Sequence, residues 1–201
     1  MIEQIEQFDR YLFLALNGLH ADWLDPVMWW LSSIVFMIPV FAFVLYYAYK
    51  KGKLRLALIM LGGIGLCILL SDRISVELFK EVFQRYRPTH NTEIGDLVHT
   101  VIKPNGEEYR GGMFSFVSSH ATNAMSIALF SYLHLRRFNK KWSLLFLWVI
   151  IVSYTRIYLG VHYPSDLVCG AMLGSLFAGI VYWISLKFDP YKNLNTVKIN
   201  E

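Results

Sequence analysis

Residues 26–49 read PVMWWLSSIVFMIPVFAFVLYYAY, a run without a single charge. A helix of that length rises about 36 Å, enough to cross the ~30 Å of hydrocarbon in a bilayer. A second uncharged run, LVCGAMLGSLFAGIVYWISL, occupies 167–186. Between them, Leu56–Ser71, Ala121–Leu135 and Trp142–Thr155 are apolar and meet polar residues at one end: Asp72, Arg73 and Glu77, then His120, then Arg156. The pattern predicts an all-α polytopic membrane bundle in one domain, with five transmembrane helices near 26–49, 55–80, 119–136, 141–160 and 165–187. Composition agrees. Hydrophobic residues make up 55% of the 201, and charged residues 17% against about 25% in soluble domains, which favours lipid as solvent.

Residues 1–24 read differently. Ile2, Ile5, Phe8, Leu12 and Leu16 recur at helical spacing among Glu3, Gln4, Glu6, Gln7 and Arg10, which predicts an amphipathic helix on the membrane surface; a short sixth span is the alternative. Without a basic leader this segment does not read as a cleavable signal. Lys50, Lys51, Lys53 and Arg55, then Arg136, Arg137, Lys140 and Lys141, then Lys187, Lys192 and Lys198 fall on the same side of the five-helix topology, which makes that side cytoplasmic and 188–201 a cytoplasmic tail. The formal net charge of +4 is spread over these short clusters rather than over one soluble face, which argues against a nucleic-acid partner. Pro104-Asn105-Gly106 marks a turn, and a small hairpin is expected over 97–109. Cys67 and Cys169 lie in apolar runs with no metal-ligand spacing and no disulfide framework.

The polar interruptions share one membrane depth. The outer end of the second helix carries Lys80 and Arg87, the third opens with Ser118, Ser119 and His120, the fourth ends at Arg156, and His162 and Asp166 precede the fifth. Lys80, Arg87 and Arg156 suit a multiply charged anion, because guanidinium forks match phosphate oxygens. Ser118 and Ser119 stand at a helix N-terminus, where hydroxyls cap and free N–H groups attract phosphate. The His162–Asp166 spacing lets a carboxylate orient an imidazole whose other nitrogen attacks, which leaves His120 as the acid. His20, His90, His99 and His134 read as capping or interface residues, Asp72, Arg73 and Glu77 as a pairing set within the second helix, and Arg85 and Arg110 equally as loop charges or headgroup contacts.

Lys80-x6-Arg87-Pro88, Ser118-x-His120 and Arg156-x5-His162-x3-Asp166, in that order, resemble the type 2 phosphatidic acid phosphatase superfamily, membrane lipid phosphatases related to vanadium haloperoxidases. The resemblance covers 26–187. It implies His162 as a nucleophile forming phosphohistidine, Asp166 as its orienting partner and His120 as general acid. It also implies Lys80, Arg87, Ser118, Ser119 and Arg156 as phosphate ligands, and chemistry without a metal or other cofactor. The second motif departs from the usual Pro-Ser-Gly-His, reading Val117-Ser118-Ser119-His120, and Thr155 replaces the usual serine before Arg156; no catalytic group is lost. The resemblance further implies a membrane lipid phosphate as substrate, with undecaprenyl diphosphate the first expectation and phosphatidylglycerophosphate, phosphatidate and lipid A the alternatives. The expected place is the bacterial inner membrane with the site facing the periplasm or exterior. A lipid phosphotransferase would use the same residues. A transporter is disfavoured because its polar groups belong nearer the bilayer midplane.

Overall fold

The computed structural model describes residues 2–192, apart from the side chains of Ile2, Val76 and Lys80. The end of the expected tail, with Lys198, and the Lys80 side chain lie outside that description. Helices account for the regular structure: α1 (Ile2–Asn17), α2 (Asp25–Leu31), α3 (Ile34–Ile74), α4 (Glu81–Phe83), α5 (Ser119–Leu135), α6 (Leu145–Tyr158) and α7 (Pro164–Ser185).

The first expected span is broken. The chain is helical over α2, leaves the helix, and restarts after Ser33, whose backbone is extended and whose Oγ accepts the Phe36 N–H at 3.4 Å. Serine competes for backbone hydrogen bonds in this way, so the Ser32-Ser33 pair ends one helix and caps the next. The loop expected at 50–54 shrinks to one residue: Lys53, at φ 55°, interrupts α3 and divides it into two arms. Both outer ends of those arms lie at the same end of the molecule, Ser32 beside Arg156 and Ser75 beside Ser119, so the chain reverses at Lys53. The second arm runs past the expected 80 through a π-helical turn, Ser75–Lys80, into α4.

Two helical stretches, Ile34–Phe83 and Pro164–Ser185, are long and apolar enough to cross a membrane. α5, with 17 residues, and α6, with 14, rise about 26 and 21 Å, and a 3-10 turn over Lys140–Leu144 lengthens α6. Large apolar side chains stay exposed at helical spacing, among them Leu54, Leu58 and Leu61 on α3 and Val168, Met172, Leu176 and Ile180 on α7. Water would penalise such stripes; lipid accommodates them.

Lipid does not drive helices together by hydrophobicity, so close approach of small residues matters more. α5 and α7 meet this way. A Cβ on Gly170 would sit 2.8 Å from the Ser118 carbonyl oxygen, and one on Gly174 would sit 2.4 Å from that of Thr122. On α3, Gly63 leaves room for the Phe130 ring. The basic segments gather at the end away from Ser32 and Ser75. Arg55 Nε donates to the Phe188 carbonyl, and Asp189 joins Arg137 at 2.7 Å and His134 at 3.1 Å. His134 was expected to be an interface residue, and it is one, with Ser185 Oγ on its other nitrogen.

α1 does not pack on the bundle through its expected apolar stripe, in which Leu12 and Leu16 are only half-buried. Ile5 and Phe8 are exposed, and the face turned to the bundle is Asp9, Phe13 and Asn17, one residue per turn. The Asn17 amide donates to the carbonyls of Ile157 and Tyr158 and receives the His99 N–H. Those carbonyls close a helix end and need partners, which apolar residues could not supply. The expected hairpin forms as one antiparallel bridge, Ile102 to Glu108, around Gly106 at φ 85°. Of the Asp72, Arg73 and Glu77 set, Arg73 pairs with Glu77 at 3.0 Å, whereas Asp72 reaches across to Asn123.

Gly174→Ala should lower the thermal midpoint in detergent, since overpacking against backbone costs about 1–3 kcal/mol. Gly62→Ala, with nothing within 4 Å of the added methyl, should leave it unchanged or slightly raised. Equal midpoints for the two variants would refute the close α5–α7 contact.

Candidate active site

The site forms where the N-terminal ends of α5 and α7 meet the C-terminal end of α6. α6 stops at Tyr158, and the turn after it sets the spacing of the third motif. The N–H groups of Val161 and His162 both donate to the Arg156 carbonyl, at 3.1 and 3.3 Å, and Gly160 sits at φ 72°. A Cβ there would come within 2.6 Å of Val98 and 3.0 Å of the His99 carbonyl, so glycine is required by conformation and by space. Arg156 and His162, with five residues between them in the motif, are thus locked together by one backbone carbonyl.

α7 begins with Pro164 in its first turn, and Asp166 closes a capping box: its Oδ2 accepts the Tyr163 N–H at 2.9 Å. The same Oδ2 faces His162 Nδ1 at 3.5 Å, and both side chains are buried. The Asp166 backbone carbonyl accepts the Ser118 N–H at 3.2 Å, which ties the second motif to the third. Ser118 caps α5 through its Oγ and the Ala121 N–H; Ser119 Oγ lies 2.8 Å from Ser75 Oγ on the π-helical turn. His120 is the second residue of α5, half-buried, one position past Ser119.

Arg156 is buried, donating from Nη1 to Ser32 Oγ and from Nη2 to Tyr109 OH at 3.0 Å, while its Nε has no hydrogen-bond partner among the described residues. Arg87 is buried too. Its Nε donates to the Phe114 carbonyl, and Gly111 at φ 70° passes so close that a Cβ would lie 2.7 Å from Arg87 Nη1. Burial, with the nearby Arg156, lowers the Arg87 pKa to about 10. Two buried guanidinium groups that repel each other, neither in a carboxylate ion pair among the described residues, form a site that a phosphate would relieve. Tyr109 titrates below its ordinary value: burial opposes this, but Arg156 and Arg87 outweigh it by favouring the phenolate.

Arg85, Tyr109 and Asp9 were not among the expected site residues. Arg85 donates to Asp166 Oδ1 at 2.8 Å and to Asp9 Oδ2 at 2.7 Å, and its guanidinium lies 4.1 Å from the Tyr163 ring centre. Burial works against its charge, yet Asp166 and Asp9 together hold its pKa above the ordinary value. Nothing in sequence spacing separates Arg85 from Arg110, which pairs only with Glu108 among the described residues and is exposed.

The family model described as the PAP2 superfamily matches residues 54–189, the stretch that holds all three motifs. The chain belongs to the PAP2 superfamily. It is 36% identical over 190 residues to a lipid A 4'-phosphatase of Bacteroides thetaiotaomicron, covering 93% of this chain and 81% of that one. A lipid A 4'-phosphatase of Porphyromonas gingivalis is 36% identical over 188 residues, covering 92% and 76%. The crystal structure of a transmembrane PAP2 type phosphatidylglycerolphosphate phosphatase from Bacillus subtilis has the same fold, with a TM-score of 0.64 at 24% identity over 94% of this chain and 89% of that one. As a member of this superfamily the chain is a phosphatase, a hydrolase of phosphate esters.

Inorganic phosphate should raise the thermal midpoint of the purified protein, by an amount equivalent to about 2.7 kcal/mol at a hundredfold excess over Kd. Arg156→Ala should abolish that shift. Gly160→Ala should cut turnover about 100-fold by displacing His162 from Arg156; unchanged turnover would show that the turn does not set the site.

Proposed function

We propose that this PAP2 lipid phosphatase removes a phosphate from lipid A, with His162 as nucleophile. The observation that carries the catalytic reading is the buried Asp166–His162 pair, one turn apart, beside the two buried arginines. Asp166 holds the Nδ1 side of the imidazole, so Nε2 is the attacking atom. Nε2 forms a bond to phosphorus as the bond from phosphorus to the lipid oxygen breaks, and His120 gives its proton to the departing alkoxide. Water then attacks phosphohistidine, His120 takes the water proton, and the P–N bond breaks to release inorganic phosphate. Lys80, Arg87 and Arg156, with the Ser118 and Ser119 end of α5, carry the charge that builds on the equatorial oxygens.

The choice of lipid A over undecaprenyl diphosphate is supported by the two relatives at 36% identity over more than nine-tenths of the chain. A polar cavity of about 290 Å³ beside the first motif, lined by Thr89, His90, Asn91, Asp96 and Arg110, adds room for a large polar headgroup, which a prenyl chain lacks. We place five spans in the membrane: the two arms of α3, then α5, α6 and α7, with the basic end cytoplasmic and the site toward the periplasm or exterior of a bacterial inner membrane. α1 then lies at the outer interface with Ile5 and Phe8 toward lipid.

Phosphate release in detergent with EDTA present, from lipid A, undecaprenyl diphosphate, phosphatidylglycerophosphate and phosphatidate, tests this. Lipid A should be the fastest substrate, and His162→Ala should lose at least about 10³-fold. Equal release by His162→Ala would remove the nucleophile assignment; faster release from undecaprenyl diphosphate would overturn the substrate.

A further inference from the structure

Asp166 holds His162 on one side and Arg85 on the other. Its Oδ2 accepts the Tyr163 N–H at 2.9 Å and faces His162 Nδ1 at 3.5 Å, and its Oδ1 accepts Arg85 Nη1 at 2.8 Å. The guanidinium is fixed in turn. Nη1 also reaches Ser165 Oγ at 2.7 Å, Nη2 reaches Asp9 Oδ2, and the plane lies over the Tyr163 ring. The Arg85 carbonyl accepts the Ser115 N–H at 2.8 Å, which anchors the backbone. Asp9 does more than pair with Arg85: its Oδ1 accepts the Ser165 N–H at 2.9 Å, so α1 places a carboxylate at the N-terminus of the helix that carries Asp166. The favourable field there adds to the ion pair. Both nitrogen ends of Arg85 are committed to carboxylates, which suits it to holding Asp166 rather than to holding substrate. Asp9 lies outside the 54–189 stretch matched by the family model.

We propose that Arg85 and Asp9 are positioning residues for catalysis: Arg85 clamps the Asp166 carboxylate in the orientation that aligns His162, and Asp9, from α1, clamps Arg85. The N-terminal helix is thereby part of the catalytic apparatus. This rests on the reading of His162 as nucleophile.

A clamp of this kind has a signature that simple packing lacks. The groups around the Asp166–His162 pair are Asp9 on α1 with Arg10 nearby, Arg85 and Arg87 on the segment after α4, His120 on α5, Arg156 on α6, and Tyr163 and Cys169 at the start of α7, and only Arg85 and Asp9 differ in the variants tested. Removing the Arg85 cation makes the pair bind its proton more tightly; removing the Asp9 anion leaves Arg85 less neutralised and has the opposite effect. The two charges therefore move the acidic limb of the kcat–pH profile in opposite directions.

The test is the pH profile of phosphate release by the full chain in detergent, with lipid A and phosphatidate as parallel probes. Arg85→Gln should lower kcat about 100-fold with KM within about twofold, and should shift the acidic limb to higher pH. Arg85→Lys should restore the limb. Asp9→Asn should lower kcat less and shift the limb to lower pH. Limbs that stay at the wild-type position, or that move the same way in Arg85→Gln and Asp9→Asn, would overturn the clamp while an inactive His162→Ala keeps the nucleophile. Should Arg85→Gln fail to fold, Arg85→Lys and Asp9→Asn decide by the same criterion. Undiminished release by His162→Ala would overturn both readings, and release from phosphatidate alone would overturn only the choice of lipid.

Discussion

A carboxylate with no solvent exposure holds together the end of the structure where the three motifs meet. Asp166 lies at the start of an apolar helix, where an uncompensated charge would be too costly to keep. The compensation reaches into most of the fold. The Tyr163 N–H comes from its own turn, the Arg85 guanidinium from the segment after α4, and the backbone carbonyl of the same residue receives the Ser118 N–H at the head of α5. Arg85 then requires Asp9, and Asp9 fixes the place of α1. Once one buried charge is present, each partner needs its own partner, and the chain of pairs ends at the N-terminal helix.

The other end is organised by the same rule with different residues. Asp189 lies between Arg137 and His134; burial pushes its pKa up, but hydrogen bonds from His134 and the Tyr191 N–H, with the Arg137 cation, hold it down to about 2. Between these polar ends the helices pack through absent side chains. Gly170 and Gly174 bring α7 against the backbone of α5, and Gly63 admits the Phe130 ring into α3. Close backbone approach gives dispersion contacts that lipid tails cannot replace, which is what holds helices in an apolar solvent. Rigid packing of this kind places Ser118 and Asp166, on different helices, within one hydrogen bond.

The two buried arginines add the functional asymmetry. Arg87 is held by a loop carbonyl and a glycine that leaves space for its guanidinium; Arg156 is held by Ser32 and Tyr109. Neither has a carboxylate partner among the described residues. Arg85, two residues before Arg87, has two. The contrast separates a cation committed to two carboxylates from two that have none among the described residues, the pair proposed to meet the substrate phosphate.

Much of this was legible in the sequence by itself. Uncharged runs longer than a bilayer is thick, basic clusters in alternate loops, and motifs whose residues fall at one depth point to a helical membrane protein with a phosphate-directed site, because burial in lipid leaves few other uses for such residues. The Arg156 to His162 and His162 to Asp166 spacings are local, set by one helix end and one helix start, so a linear reading reaches them. The tertiary structure alone decided the rest. Arg85 and Arg110 are both loop arginines in sequence, and only packing puts one against Asp166 and the other against an exposed glutamate. The apolar periodicity of α1 marks a face for the membrane surface but not the face that meets the protein, which is Asp9, Phe13 and Asn17, because the bundle's carbonyls and the Arg85 cation need polar partners. The reversal at Lys53 falls inside the expected 50–54 loop and the break at Ser32-Ser33 is local serine capping; what packing adds there is the contact of Ser32 with Arg156.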